Sequence, residues 1–334
     1  MPCYKPLRAG LVDGPEGRRL VFKKVAHAPR NGKGISLPCG RCIGCRVERA
    51  RQWAVRLMHE NEMHEESCFI TLTYSPEHLP ANKSLSVEAC QKFLKRLRAR
   101  IAPKKIRFFL AGEYGQECEN CGKNKLDCPR SGCPQWKPIL GRAHYHAILF
   151  GWSPPDPVLW KKSKGHDLYM SEMLDDVWGM GNCSFGVVSF DSACYVASYA
   201  VKKVTGNKAA DHYQGRKPEF VVMSRGGKTA KGKAGGIGYG WMEKYGSDVY
   251  PDDEVIVRGH STRPPRYYDS LLEKKDPDLL EKIKLRREEQ ALVLNDLVLK
   301  SGDVVKVAES NNARRLAVRE TVAKAKMKLK EKDL

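Results

Sequence analysis

Three short runs rich in β-branched and aromatic residues constrain the fold of this chain more than any other feature: CFITLTY (68–74), IRFFLAGEYG (106–115) and AHYHAILFG (143–151). Such residues favour strands because their side chains pack well on a pleated surface. Between the first two lies VEACQKFLKRLRARI (87–101), with apolar residues at helical spacing behind Ser86, a good N-cap. The third is followed by a short helix at 169–178, a strand CSFGVVSF (183–190) and a helix SACYVASYAVKKV (192–204). This β-α-β-β-α-β order predicts an α+β domain of the split βαβ type, an antiparallel sheet with helices on one face.

The regions outside this core differ in composition. Residues 1–66 are a basic N-terminal region with a cysteine cluster, 67–263 the central domain, and 264–334 a charged, helical C-terminal region poor in aromatics. The connection at 116–140 is a Cys-rich insertion, too long for an ordinary hairpin loop. The formal net charge of +20 points to a polyanionic partner. A membrane surface is disfavoured, because no apolar run approaches the ~18 residues needed to span a bilayer. MPCYKPLRAG has no apolar signal core, so a reducing cytosol is expected. There the twelve cysteines would serve as metal ligands or buried thiols rather than disulfides.

On a strand, residues i and i+2 share a face, so His144 and His146 project together while Tyr145 points away. A bare HxH pair is more often two hydrogen-bonded histidines than a metal site. A hard divalent ion would also want oxygen ligands. Glu113 of GEYG supplies one if its strand pairs antiparallel with the HYH strand. Tyr195 and Tyr199 stand one turn apart on a helix, with Lys202 and Lys203 on the same side. Ala193, Val196, Ala197, Ala200 and Val204 take the other side, so both tyrosines are expected away from the apolar stripe. A phenol of reference pKa about 10 is a poor nucleophile at neutral pH, and a metal that polarises a phosphate would help it. Metal, tyrosine and basic surface together suggest phosphodiester transesterification on nucleic acid.

Cys118, Cys121, Cys128 and Cys133 give C-x2-C-x6-C-x4-C, suited to a structural zinc in the insertion. Cys39, Cys42 and Cys45 form a denser cluster whose fourth ligand would be Cys3; zinc, an iron–sulfur cluster and unliganded thiols all remain open for it. Between 202 and 233 there are nine Lys/Arg against two Asp/Glu, and Lys208, Arg216, Lys217 and Arg225 are candidate DNA contacts. GKT at 227–229 does not complete a phosphate-binding P-loop, because Val222 stands where glycine is needed. ATP is therefore not expected as a cofactor.

FITLTY (69–74), HYH (144–146) and YVASYAVKK (195–203) occur in the order of the three motifs of HUH endonucleases. With PCGRCIGCR, GEYG, MSRGG and GGIGYGW, the chain resembles the rolling-circle replication initiators of microviruses, in their gokushovirus branch. The resemblance implies an RRM-like HUH domain and a Mg²⁺- or Mn²⁺-dependent cut in single-stranded DNA at a replication origin. His144 and His146 would bind the metal, Tyr195 and Tyr199 would alternate as nucleophiles, and Lys202 or Lys203 would assist. A lysine stands three residues after Tyr199 but Ser198 three after Tyr195, which marks Tyr199 as the better-matched nucleophile. Phage single-stranded and replicative-form DNA, a host helicase and polymerase, and the host bacterial cytoplasm follow as partners and location. A plasmid relaxase or single-strand transposase with the same site, or a non-catalytic zinc-stabilised nucleic-acid-binding module, are the other readings.

Overall fold

The computed structural model describes residues 3–14, 17–22, 34–123, 133, 137–162, 167–199, 203–204, 206–225, 235–300 and 313–330. They divide into two compact units, Met1–Arg49 with Leu271–Leu334, and Ala50–Ser270. This grouping differs from the three consecutive regions read from composition. In the first unit β1 (Leu7–Gly14), β2 (Gly17–Val21) and β3 (Gly34–Leu37) form an antiparallel sheet in the order β2-β1-β3. The helix α1 (Ile43–Asn61) begins there and continues into the second unit.

The second unit is built on a seven-stranded antiparallel sheet. Its strands and helices are β4 (Ser67–Thr73), α2 (Val87–Arg100), β5 (Arg107–Cys118), β6 (Pro138–Phe150), β7 (Val158–Lys161), β8 (Leu168–Met170), α3 (Glu172–Trp178), β9 (Cys183–Val187), α4 (Phe190–Tyr199), α5 (Lys208–Tyr213) and β10 (Phe220–Met223). The strand order is β10-β5-β6-β4-β9-β8-β7, so the four strands expected from sequence occupy the middle. Beyond them lie α6 (Tyr239–Val249), the hairpin β11 (Val255–Val257) and β12 (His260–Thr262), and α7 (Arg266–Lys275). The first unit also contains α8 (Pro277–Lys300) and α9 (Ala313–Lys330).

Alternation along the strands sorts side chains to two faces. Ile70, Leu72, Leu110, Tyr145, Ala147 and Leu149 pack with Phe93 and Leu97 of α2 and Leu174 and Trp178 of α3. Phe109, Ala111, Ile148 and Phe150 pack on the other side with Ala54 and Leu57 of α1 and Ala193, Val196 and Ala197 of α4. The expectation of helices on one face is therefore corrected: the two crossover helices share a face, and α1 and α4 cover part of the other. The helix expected at 169–178 is also shorter. Ser171 caps α3 by accepting a hydrogen bond from Leu174 N (3.0 Å), which leaves residues 168–170 free to extend as β8.

Gly181 lets the α3–β9 turn cross the end of β4. A Cβ there would lie 2.3 Å from the Thr73 carbonyl oxygen and 2.4 Å from Ser75 N, at φ +145°. Gly181→Ala is expected to cost roughly 3 kcal/mol or more, read as a shift in the urea midpoint.

The GGIGYGW segment is held by buried groups of α1. Glu60 accepts from Gly238 N (2.7 Å) and pairs with Arg107 (2.6 Å). His59 stacks on Trp241 with centroids 3.5 Å apart, and its Nδ1 lies 2.8 Å from Tyr268 Oη. Burial pushes the His59 pKa down to about 4. The unfolded chain protonates first, near pH 6.5, so this contribution is complete above that pH and drains as pH falls through 4. Stability should fall by about 2 kcal/mol between pH 7.5 and 5.0 from this group. Urea unfolding at the two pH values measures it; equal stabilities would show that His59 is solvated.

Candidate active site

The alternation that buries Tyr145 on the α2 side turns His144 and His146 to the α4 side of β6. Antiparallel pairing places Glu113 of β5 opposite His144, and Thr71 of β4 opposite His146. Glu113 Oε2 lies 3.6 Å from His144 Nε2 and 3.5 Å from His146 Nε2, and the donor atoms of all three lie within 4.8 Å of one another. The opposite ring nitrogens are engaged. His144 Nδ1 is 3.3 Å from the Arg142 carbonyl, which can only accept, so that nitrogen carries the hydrogen and Nε2 presents its lone pair. His146 Nδ1 is 3.0 Å from Thr71 Oγ1. One carboxylate and two imidazoles facing one point fit a divalent ion that keeps other positions open.

The helix α4 enters on a reciprocal pair of serine contacts, Ser192 N to Ser189 Oγ (3.1 Å) and Ser189 N to Ser192 Oγ (2.8 Å), and packs on β5 and β6. Both tyrosines thereby reach the triad. The Tyr195 ring lies 5.0 Å from His146 edge to face, and the Tyr199 ring 5.2 Å from it, stacked at 10°. Their exposures differ widely: Tyr195 is 40% exposed and Tyr199 1%. The expectation that both stand away from the apolar stripe thus holds for Tyr195 and fails for Tyr199. The sheet's own imidazole covers the Tyr199 ring, a tertiary contact that helical periodicity does not register.

Partial burial, then the charge of Glu113, push the Tyr195 pKa up to about 12, with the hydrogen bond between the two tyrosines acting the other way. Tyr199 is raised much further by burial, by Glu113 and by donating to the Glu113 carboxylate. With its pKa raised, the Tyr195 phenol is neutral at pH 7.

Other residues singled out from sequence are distributed as follows. The helix expected to run to 204 is described as far as Tyr199; residues 200–202, Lys202 among them, lie outside the described residues, and exposed Lys203 is not helical. Arg216 is a clamp rather than a free cation. Its Nη1 donates to the Leu140 carbonyl (2.8 Å) beside the β5–β6 register shift, where a β6 carbonyl needs a donor. Lys217 and Arg225 are exposed, and Lys208 opens α5, its side chain outside the described residues. Cys118, Cys121 and Cys133 come together with sulfurs within 4.8 Å, whereas Cys128 lies outside the described residues, as do residues 226–234 with GKT. Cys3, Cys39, Cys42 and Cys45 also converge. Sequence reasoning missed Thr71 and Phe69, whose ring stacks 5.7 Å from His146; the alternation of FITLTY carried the signal, since Phe69, Thr71 and Thr73 share the site face. No helix among the described residues is long and apolar enough to cross a membrane.

The family model for replication-associated protein ORF2/G2P matches residues 67–121, which include Thr71 and Glu113. The replication-associated protein VP4 of Bdellovibrio phage phiMH2K is 29% identical over 307 residues, 87% of this chain and 84% of that protein. The replication-associated protein ORF2 of Spiroplasma virus 4 is 27% identical over 311 residues, 87% of each chain. The replication-associated protein ORF4 of Chlamydia phage 1 is 28% identical over 246 residues, 71% of this chain and 54% of that one. No solved structure matches. The chain is a homologue of the replication-associated proteins of microviruses.

Proposed function

We infer that this protein starts rolling-circle replication of a single-stranded-DNA phage by cutting one strand at the origin and joining itself to the new 5′ end. The observation that carries the reading is the convergence of Glu113, His144 and His146 beside the exposed Tyr195. The sheet is then an RRM-like HUH scaffold, supported by the position of the four central strands.

In the reaction the Tyr195 hydroxyl attacks phosphorus and forms an O–P bond while the P–O3′ bond breaks. The departing 3′-oxygen gains a proton in exchange for the one the phenol gives up. One phosphoester replaces another, so no nucleotide need be consumed, and a 3′-hydroxyl is left as primer. Glu113, His144 and His146 would hold a Mg²⁺ or Mn²⁺ ion, whose charge would polarise the phosphate. Thr71 and the Arg142 carbonyl orient the two imidazoles, and Lys202 or Lys203 would steady the phosphate. Tyr199 accepts the strand in the second cut, which closes the displaced circle. Strand separation falls to a host helicase and synthesis to a host polymerase, in the bacterial cytoplasm. Cys118, Cys121 and Cys133 would hold a zinc ion that braces the β5–β6 connection, with Cys128 the fourth ligand expected from sequence.

Covalent capture on labelled single-stranded origin DNA tests this, with Mn²⁺ or with EDTA. A metal-dependent protein–DNA adduct is expected. Tight binding without an adduct would support the non-catalytic binding module instead.

A further inference from the structure

We propose that Cys3, Cys39, Cys42 and Cys45 hold one structural Zn²⁺ as a four-thiolate site, independently of the chemistry at the triad. Their sulfurs all lie within 4.8 Å of one another, although they come from the N-terminus, a loop and the first turn of α1. Cys42 Sγ and Cys3 Sγ are 3.9 Å apart. Zn–S bonds of about 2.3 Å in a tetrahedron put sulfurs about 3.8 Å apart, whereas a disulfide needs about 2.05 Å. Sulfurs this close leave room for one ion, not for a cage of several irons and bridging sulfides.

The surrounding backbone is arranged for thiolates. Tyr4 N points at Cys42 Sγ, Cys39 N at Cys3 Sγ and Cys42 N at Cys39 Sγ, each at 3.3 Å. Three amide donors on three sulfurs offset the two negative charges that four thiolates and one Zn²⁺ leave over. Gly40, at φ +72°, makes the tight turn between Cys39 and Cys42. Cys42 and Cys45 sit at the start of α1, where the helix dipole favours anionic sulfur. Four soft donors and no oxygen select zinc over the hard ions suited to the Glu/His triad. The four thiols lose their protons on binding, and residue 3 is tied to the head of α1.

The test uses the full-length protein, washed with a mild chelator that removes Mg²⁺ and Mn²⁺. Elemental analysis should find one zinc fewer per chain in Cys3→Ser/Cys42→Ser than in wild type, with Cys133→Ser keeping that ion. Cobalt reconstitution of Cys133→Ser should give the intense sulfur-to-metal absorption of a tetrathiolate, absent when Cys3→Ser/Cys42→Ser is added. Should the double variant fail to fold, alkylation of wild type decides: Cys3, Cys39, Cys42 and Cys45 should resist labelling until zinc is stripped by a strong chelator, and then label together. Equal zinc content in wild type and variant, iron in place of zinc, or ready labelling of these cysteines in the metal-loaded protein would each overturn the proposal.

Discussion

Tyr195→Phe is expected to reduce formation of the first protein–DNA adduct by at least about 10³-fold, while Tyr199→Phe leaves that first cut within about tenfold of wild type. Spacing alone treats the two tyrosines as alike, and the lysine pattern favours Tyr199. We place Tyr195 first instead, because Tyr195 is 40% exposed and Tyr199 is 1% exposed. A phosphate can approach the Tyr195 hydroxyl from solvent. Tyr199 lies flat on His146 and donates to Glu113, so it must leave that position before it can attack. Tyr199→Phe should therefore be impaired in joining the displaced strand into a circle, a step requiring a second nucleophile. Single-turnover cleavage and circle formation, measured on the same origin substrate, separate the two. Equal losses of first cleavage in both variants, or a larger loss in Tyr199→Phe, would contradict this assignment.

Removing an imidazole from the triad should be about as severe. His146→Ala is expected to lower Mn²⁺-dependent cleavage by roughly 10³-fold and to weaken Mn²⁺ binding beyond calorimetric detection, because one of three protein donors is gone. Glu113→Gln should act similarly on binding, since it removes the only formal negative charge of the Glu/His triad. Without metal, Glu113→Gln should also bring the Tyr195 pKa part of the way down from about 12, because the carboxylate's contribution is lost while the larger effect of burial remains. Ultraviolet titration of the phenol gives a readout independent of cleavage. A milder effect is expected from Thr71→Val, about 10- to 100-fold on metal affinity, since that hydroxyl sits only on the far nitrogen of His146. Cleavage by His146→Ala at the wild-type rate with Mn²⁺ would mean that the two histidines merely pack.

Much of the scaffold was legible because strands and helices repeat over short distances. The alternation in AHYHAILFG assigned His144 and His146 to one face and Tyr145 to the other, and Ser86 marked the start of α2. Helix ends were less legible. The helix read through Val204 does not include Lys203 and Val204, and the one read from Tyr169 starts after Ser171. Caps and neighbours decide such boundaries as much as periodicity does. The outer strands β7, β8 and β10 were missed because each is only three or four residues long and carries little pattern of its own.

By itself, the sequence determined which side chains share a face, the succession of the central strands along the chain and a net positive charge suited to a polyanion. These follow from backbone repeats of 2 and 3.6 residues and from composition. Only the tertiary structure decided that Glu113 stands opposite His144, that Tyr199 is buried while Tyr195 is not, that Arg216 is occupied by a β6 carbonyl, and that Cys3 joins cysteines 36 to 42 residues away. Each is a matter of register or of long-range packing. Strand pairing and chain closure are selected by the whole core, and no local repeat encodes which distant residues they bring together.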